Sequence, residues 1–434
     1  MSIFFTTLYV ALSHLSPEYL FPGIGPYHPL VWLFIVGALA ALLSVCQHSY
    51  PFRAPQNILL IGFSAIIVFS SAVEAGPGRA ASALWTFLPS LLSFYLCSAT
   101  IYRTRHLRLL SLGLTIVAFF QAISGMIAYY SGATQSPFLW VWPPLEEQIP
   151  GQPLVRRICG LGFLNDPNDF AQFLLVMLPL IWTLWRNRAK VRNFLFVIVP
   201  TLLLLWAIVL TQSRGGLLAF GVMLLFAFRK RFGNTTSVVL TLVLLAGILT
   251  SGLWKREDLS VHENSAAGRV EAWGNGIAMW KSSPLWGVGF GQFGEHNEDQ
   301  NGLTAHNSYV LCFAELGTLG YLLWLGLITA TLLDLNSIQR VLTSDDFAEA
   351  DIQRWATAVR LALIGYLSAA WFLSRTYYMT LYVLLGMAVA VVRMANGETE
   401  QEIRAPGRKI LAWSAGAAFA SIVLVYCTLW SRAL

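Results

Sequence analysis

Apolar residues form long blocks along this chain, and short polar segments separate them. The hydrocarbon core of a bilayer is about 30 Å thick, so a helix that crosses it needs about 20 apolar residues. The blocks therefore predict an all-α, polytopic integral membrane protein with about 12 transmembrane helices, or 13 if the short first block also crosses. The predicted spans are residues 3–14, 30–46, 57–74, 83–100, 109–130, 168–185, 194–211, 215–228, 236–253, 307–333, 358–374, 378–394 and 410–429.

The composition agrees with this pattern and narrows the class of protein. Hydrophobic residues make up 56% of the 434 residues and charged residues only 12%, whereas an average soluble domain has about 25% charged residues. So few charges cannot solvate the surface of a globular protein of this size, which excludes a soluble enzyme, a disordered chain and a coiled coil. The five cysteines show no CxxC or CxxH spacing, so we expect no metal site, no disulfide framework and no cofactor.

The basic residues predict the orientation of the helices. A net charge of +6 needs no nucleic acid to explain it, because membrane proteins carry an excess of lysine and arginine in their cytoplasmic loops. Eighteen of the 28 lysines and arginines fall in alternate loops, in clusters that flank the ends of spans. The loops that contain Arg105, Arg188 and Lys230 are therefore predicted to be cytoplasmic. Two long loops, at residues 131–167 and 254–306, are then external parts of a single transmembrane domain over residues 1–434.

The first external loop ends in a polar segment directly before the sixth span. Arg156 and Arg157 are followed by the sequence Asn165-Asp-Pro-Asn168, which is typical of a turn and a helix cap. Capping alone explains most of this pattern. A helix N-terminus that opens toward the outer face is also a potential anion site. Arg156, Arg157, Asn165 and Asn168 are therefore candidate substrate-binding residues.

Arg214 lies between the seventh and eighth spans, in the short segment Thr211–Gly216. This segment leaves almost no room for a loop, so the arginine is held at the level of the membrane surface. A charged side chain there is costly unless it snorkels or has a partner. One interpretation is that Arg214 reaches lipid headgroup phosphates. The other is that a fixed guanidinium binds a substrate phosphate with two parallel hydrogen bonds.

The second external loop contains the largest set of candidate residues. Arg269 and Trp273 are four residues apart in a predicted helical stretch that ends near residue 281, so they share one helical face. Residues 289–294 spell GxGxxG, but no βαβ unit surrounds them, which favours a glycine-rich turn over a dinucleotide site. His306 and Asn307 follow at the external end of the tenth span. A neutral imidazole there can accept a proton from a hydroxyl.

Four sequence motifs follow one another along the chain. They are Ser213-Arg-Gly-Gly, Gly268-Arg-x-x-x-Trp, Pro284-Leu-Trp-Gly-Val-Gly-x-Gly and Ala305-His-Asn-Ser-Tyr. In this order, and with this hydropathy profile, they resemble the O-antigen ligase / O-antigen polymerase superfamily of bacterial inner-membrane glycosyltransferases. The motifs cover about residues 155–325, and the hydropathy profile covers nearly the whole chain.

The resemblance implies a fold, a reaction and a set of functional residues. The fold is a bundle of about 12 membrane helices with a large periplasmic loop. The reaction transfers a glycan from an undecaprenyl-diphosphate carrier to an acceptor hydroxyl at the periplasmic face. Arg214, Arg269 and His306 occupy the positions of the family's catalytic residues, and we assign Trp273 and Asn307 to substrate binding. The ligase branch works without a metal and inverts the anomeric carbon. From this resemblance we predict that Arg214 and Arg269 bind one diphosphate.

Several functions stay open at this point. The acceptor is lipid A–core in a ligase, another lipid-linked repeat unit in a polymerase, or a protein hydroxyl in an O-oligosaccharyltransferase, and we place the ligase first. A transporter or flippase for a lipid-linked or anionic solute is the alternative of another class. Transporters usually carry ionisable residues near the midplane of the membrane. Here the spans are nearly free of charge and the polar residues collect on one face, which favours chemistry at the surface.

Overall fold

The computed structural model describes residues 2–47, 54–131, 140–142, 156–250, 259–297, 304–342, 346–398 and 402–430, with the backbone alone at 47, 75, 142, 230, 248–250 and 259–267. Helices dominate these residues. Two short antiparallel strands, β1 (Val141–Trp142) and β2 (Arg157–Ile158), pair in the first long loop. The helices are α1 (Ser2–Leu15), α2 (Pro17–Leu20), α3 (Pro29–Gln47), α4 (Pro55–Thr100), α5 (Thr104–Ser131), α6 (Pro167–Trp182), α7 (Lys190–Asn193), α8 (Val199–Leu210), α9 (Arg214–Thr250), α10 (Leu259–Ser282), α11 (Ser308–Val341), α12 (Phe347–Ala370), α13 (Met379–Glu398) and α14 (Gly407–Trp430).

Many of these helices are long and apolar enough to cross a membrane. Within the described part of the chain, eight segments meet this condition, with mean hydropathies from 1.4 to 2.5. The prediction of an all-α, multi-pass membrane protein is therefore confirmed. The eight segments are Pro29–Cys46, Pro55–Glu74, Gly76–Thr100, Thr104–Ser131, Lys190–Leu210, Ser308–Val341, Met379–Glu398 and Gly407–Trp430.

The predicted connections between spans at residues 75–82 and 229–235 are shorter than expected. Helical residues extend up to a single non-helical residue in each connection, Gly76 (φ 81°) and Gly233 (φ 78°), so α4 and α9 each consist of two helical segments. Only glycine adopts such positive φ angles at little cost, so one residue redirects the chain where a loop was expected. At the first break Pro77 follows, which removes a backbone donor at the start of the next helical segment.

Other boundaries also differ from the prediction. The span expected at 358–374 belongs to α12, which begins earlier, at Phe347, and ends at Ala370. The external loop expected at 254–306 contains α10, whose end at Ser282 agrees with the predicted helical stretch. Residues 132–139, 143–155, 254–258 and 298–303 of the two predicted loops lie outside the described residues, and so do residues 251–253 of the span predicted at 236–253.

The residues group into two compact units. The first comprises Met1–Ser49, Leu96–Glu257 and Ala350–Ala369, and the second comprises Tyr50–Tyr95, Asp258–Glu349 and Ala370–Leu434. In the first unit α6 is the interior helix, buried along almost its whole length and packed against α5, α8 and α9. In the second unit α11 is the interior helix and packs against α10, α13 and α14. Each unit thus surrounds one buried helix, and each of these helices begins in a predicted functional motif.

Candidate functional site

In the first unit, Arg157 connects the first long loop to two helix ends. Its Nε atom donates to the carbonyl oxygen of Thr211 at 2.8 Å, and its Nη2 atom donates to Oδ1 of Asn168 at 3.0 Å. Thr211 follows the last residue of α8, where free carbonyl groups favour a cation. Arg157 was predicted to bind substrate, and the structure shows that its guanidinium holds β2 to the ends of α6 and α8.

The start of α6 confirms the predicted turn and helix cap. Asp166 accepts hydrogen bonds from the backbone N–H groups of Asn168 (2.7 Å) and Asp169 (3.4 Å), and Pro167 occupies the first helical position. Asn165 precedes the cap and is exposed, whereas Arg156 is half-buried beside β2. Arg156, Arg157, Asn165 and Asn168 therefore lie around the start of one helix, and their role in substrate binding stays a prediction.

Arg214 is the first residue of α9 and has an exposed side chain. The hydroxyl oxygen of Ser213 accepts the backbone N–H of Gly216 at 3.1 Å and so caps the helix. In the described part of the chain no acidic side chain forms an ion pair with Arg214. The guanidinium therefore stands at the positive end of a helix, where both charges attract an anion.

The thiol of Cys159 lies next to this region but does not suit nucleophilic chemistry. Burial, together with the nearby carboxylate of Asp166, raises the pKa of the Cys159 thiol to about 12, and the nearby Arg157 partly lowers this pKa. The reactive form of cysteine is the thiolate, so this residue is a packing residue at neutral pH.

In the second unit, Trp273 of α10 ties its helix to the segment that precedes His306. Its indole N–H donates to the carbonyl oxygen of Ala305 at 3.0 Å, and its side chain is buried. Arg269 lies one helical turn earlier and is half-buried. The hydrogen bond attaches Trp273 to the residue that precedes His306. The predicted contact of Trp273 with substrate stays a prediction.

His306 and Asn307 form the entry to α11. His306 has a left-handed backbone (φ 48°) and Asn307 an extended one (φ −155°). The side-chain oxygen of Asn307 caps the helix by accepting the N–H groups of Tyr309 (2.9 Å) and Val310 (3.1 Å). His306 is half-buried at the helix end, as the sequence predicted. The amide nitrogen of Asn307 is buried and has no hydrogen-bond partner among the described residues.

The glycine-rich loop after α10 inserts into a break in α11. The break is at Gly317 (φ 61°). The N–H groups of Thr318 and Leu319 donate to the carbonyls of Pro284 and Leu285, outside the helix. In exchange, the carbonyl groups of Ala314 and Glu315 accept the N–H groups of Val288 and Gly289, both at 3.0 Å.

This exchange explains why the motif is rich in glycine. A Cβ atom on Gly287 would overlap the backbone of Glu315, and one on Gly317 would overlap the backbone of Leu285. The two backbones can approach this closely only without side chains. The predicted glycine turn is confirmed, and its partner is the broken helix.

Glu315 reinforces the same contact and was not among the predicted site residues. Its side chain is buried, and Oε1 accepts the backbone N–H of Phe293 at 3.1 Å. Ser70 of α4 donates to the carbonyl groups of both Glu315 (3.1 Å) and Trp286 (2.6 Å). Two features of the sequence indicated it: its position nine residues after His306 on an apolar helix, and its place in the sequence Ala314-Glu-Leu-Gly317, which follows the His306 motif.

The structure thus brings the predicted residues together in two groups. Arg156, Arg157, Asn165, Asn168 and Arg214 lie in the first unit, and Arg269, Trp273, His306 and Asn307 lie in the second. Among the described residues no group of three or more His, Cys, Asp or Glu side chains is placed to hold a metal ion. The prediction that Arg214 and Arg269 bind one diphosphate stays a prediction.

These features define a multi-pass membrane protein whose polar motifs gather at helix ends. Residues 199–325 match the family model described as O-antigen ligase. The matched segment includes Arg214, Arg269, Trp273, His306 and Asn307, and the resemblance to the O-antigen ligase and polymerase superfamily is confirmed over it. No curated protein matches the chain.

Proposed function

We propose that the protein is a glycosyltransferase that moves a glycan from an undecaprenyl-diphosphate donor to an acceptor hydroxyl, at the periplasmic face of the bacterial inner membrane. The observation that carries the proposal is the hydrogen bond from Trp273 to Ala305. It joins the helix that bears Arg269 to the segment that bears His306. A cationic side chain and a proton acceptor are thereby attached to one rigid support, as group transfer from a diphosphate requires.

His306 acts as the general base in the proposed reaction. The neutral imidazole accepts the proton of the acceptor hydroxyl while the hydroxyl oxygen forms a bond to the anomeric carbon of the donor sugar. The bond between that carbon and the phosphate oxygen breaks, and its electron pair leaves with undecaprenyl diphosphate. Attack from the face opposite the leaving group inverts the anomeric carbon. A positioned base of this kind contributes about 10²- to 10⁴-fold in rate.

Arg214 and Arg269 stabilise the leaving group. Negative charge grows on the diphosphate as the glycosidic bond breaks, and fixed guanidinium groups oppose it without a metal ion. Arg214 supports this role because it is exposed at a capped helix N-terminus with no acidic partner among the described residues. Arg269 supports it through its position one helical turn from the buried Trp273.

The acceptor we propose is lipid A–core, which makes the protein an O-antigen ligase. The test is incubation of purified protein with a radiolabelled undecaprenyl-diphosphate glycan and three acceptors in parallel: lipid A–core, a second lipid-linked glycan and a serine-containing protein. Label on lipid A–core supports the ligase, and label on either other acceptor assigns a polymerase or a protein transferase. If no acceptor is labelled, but the labelled donor crosses a vesicle membrane that contains the protein, the protein is a transporter.

A further inference from the structure

The segment between α12 and α13, at residues 371–378, adjoins the His306 motif, and the proposed mechanism does not yet use it. Three hydrogen bonds attach it to Ser308, two residues after His306. The hydroxyl of Ser308 donates to the carbonyl of Leu373, the backbone N–H of Arg375 donates to the Ser308 hydroxyl (2.7 Å), and the hydroxyl of Thr376 donates to the Ser308 carbonyl (2.7 Å). All these partners are in the second unit, so this attachment fixes the backbone of Arg375 relative to the start of α11.

Aromatic contacts extend the attachment to α10. The ring of Trp371 lies 5.9 Å from that of Trp273 and 5.3 Å from that of Tyr309, measured between centroids. Trp273 is the residue that holds the segment before His306. Residues 371–378 therefore contact both the helix that bears Arg269 and the helix entry that bears His306.

The guanidinium of Arg375 stacks on an aromatic ring. Its guanidinium carbon lies 3.9 Å from the centroid of the Tyr378 ring, and the side chain is half-buried. Stacking on an aromatic face occupies the plane of a guanidinium but leaves the N–H groups at its edge directed outward. A guanidinium fixed in this way can form parallel hydrogen bonds to a phosphate without first losing side-chain freedom.

We propose that Arg375 binds a phosphate group of the lipid-linked donor, as a further cationic residue of the second unit, which also contains Arg269 and His306. The inference rests on the proposed function, because it takes its ligand from that reaction. A second, independent observation concerns the start of α11, to which the backbone of Arg375 is attached. The amide nitrogen of Asn307, which adjoins Ser308, is fully buried and lacks a hydrogen-bond partner among the described residues. A buried donor without a partner is costly, and a phosphate oxygen is the kind of acceptor that satisfies it.

The experiment measures equilibrium binding of undecaprenyl diphosphate, and of undecaprenol as a lipid without phosphate, to the full-length protein in nanodiscs. We expect the wild type to bind the diphosphate more tightly than the alcohol. Arg375→Ala should lose about 10- to 100-fold of the affinity for the diphosphate, with its affinity for undecaprenol unchanged. Arg375→Lys should recover only part of the loss, because a point charge does not reproduce the two parallel hydrogen bonds.

Variants of the stacking partner and a control arginine complete the design. Tyr378→Leu should weaken diphosphate binding because it removes the ring under the guanidinium, whereas Tyr378→Phe should not. Arg79→Ala is the matched control, because Arg79 is an exposed arginine of the same unit that pairs with Glu295 at 2.8 Å; it should bind as the wild type does. The alanine at 375 keeps the backbone N–H that bonds to Ser308, so the fold is expected to persist.

The possible outcomes separate this inference from the proposed function. If the wild type prefers the diphosphate and Arg375→Ala binds it equally well, the inference is overturned and the proposed function stands. If Arg79→Ala loses as much affinity as Arg375→Ala, the effect is one of general surface charge and the inference is again overturned. If the wild type shows no preference for the diphosphate, the proposed function fails and the inference fails with it.

Discussion

Replacement of Trp273 by phenylalanine tests whether a buried hydrogen bond positions His306. The change removes the indole N–H that donates to Ala305 at 3.0 Å and keeps an aromatic ring against Trp371. Ala305 is fully buried, so its carbonyl is left without this donor. Trp280 provides a matched control, because it lies on the same helix and its indole N–H donates to the Thr318 hydroxyl at 3.1 Å.

The structure indicates how much stability and how much transfer rate each variant should lose. A buried carbonyl that loses its donor costs about 1–3 kcal/mol of stability, and we expect this range for Trp273→Phe. The Thr318 hydroxyl is only part-buried, so Trp280→Phe should cost about 0.5–1.5 kcal/mol, as the loss of an ordinary hydrogen bond does. Their effects on catalysis should differ. A displacement of about 1 Å in a catalytic group can cost about 10²-fold in rate, and only Trp273→Phe releases the segment next to His306. We therefore expect a 10- to 100-fold lower transfer rate for Trp273→Phe and a nearly normal rate for Trp280→Phe.

The assay combines thermal unfolding in detergent with the rate of label transfer at saturating donor. Both variants should unfold at a lower temperature than the wild type, and the decrease should be larger for Trp273→Phe. The reasoning is refuted if Trp273→Phe is destabilised but transfers glycan at the wild-type rate, or if both variants lose activity equally. In the first case the hydrogen bond serves stability alone, and in the second any loss of packing on α10 has the same effect.

Three further predictions concern the glycine loop, the catalytic histidine and the topology. Gly287→Ala should abolish folding, because the methyl group overlaps the α11 backbone. Gly291 has the same φ of 72° but open space around it, so Gly291→Ala should cost only about 1 kcal/mol of stability. Equal yields of folded protein from the two variants would contradict the insertion of the glycine-rich loop into α11. His306→Gln should lower the transfer rate by about 10²- to 10⁴-fold. The fall in rate at acidic pH that we expect for the wild type should be absent from this variant, because glutamine does not titrate; an unchanged acidic limb would remove His306 as the base. In a cysteine-free chain, a single cysteine that replaces Ser282 should react with an impermeant thiol reagent applied from the periplasmic side. A single cysteine that replaces Arg188 should be protected from the same reagent. The reverse pattern would invert the topology.

Helices were predictable from hydropathy because every long apolar block must satisfy its backbone internally in a membrane. Their boundaries were less predictable. Hydropathy falls at residues 75–82 and 229–235, which indicates loops, yet one glycine with a positive φ redirects the helix at each place. The sequence contains both glycines, but a glycine that breaks a helix and a glycine in a loop cannot be told apart from the sequence pattern.

In the candidate site too, some features could be predicted from the sequence and others could not. The cap at Asp166 was predicted because capping is local and depends on residues two or three positions apart. The roles of Glu315 and Arg375 were not, because each depends on a partner far along the chain: Glu315 bonds to Phe293, and Arg375 bonds to Ser308. Trp273 shows a third case, since the residue was found from its spacing but its role as a positioning residue needed the hydrogen bond to Ala305.

The most direct test of the transferase assignment is label transfer by the purified protein in detergent, where no membrane separates two compartments. The measurement follows radiolabelled glycan from undecaprenyl diphosphate to lipid A–core, with the His306→Ala variant in parallel. The account predicts that the wild type transfers the label and releases unlabelled undecaprenyl diphosphate in equal amount, and that the variant does so about 10²- to 10⁴-fold more slowly. Equal rates for wild type and variant, or donor that stays intact with every acceptor, would contradict it.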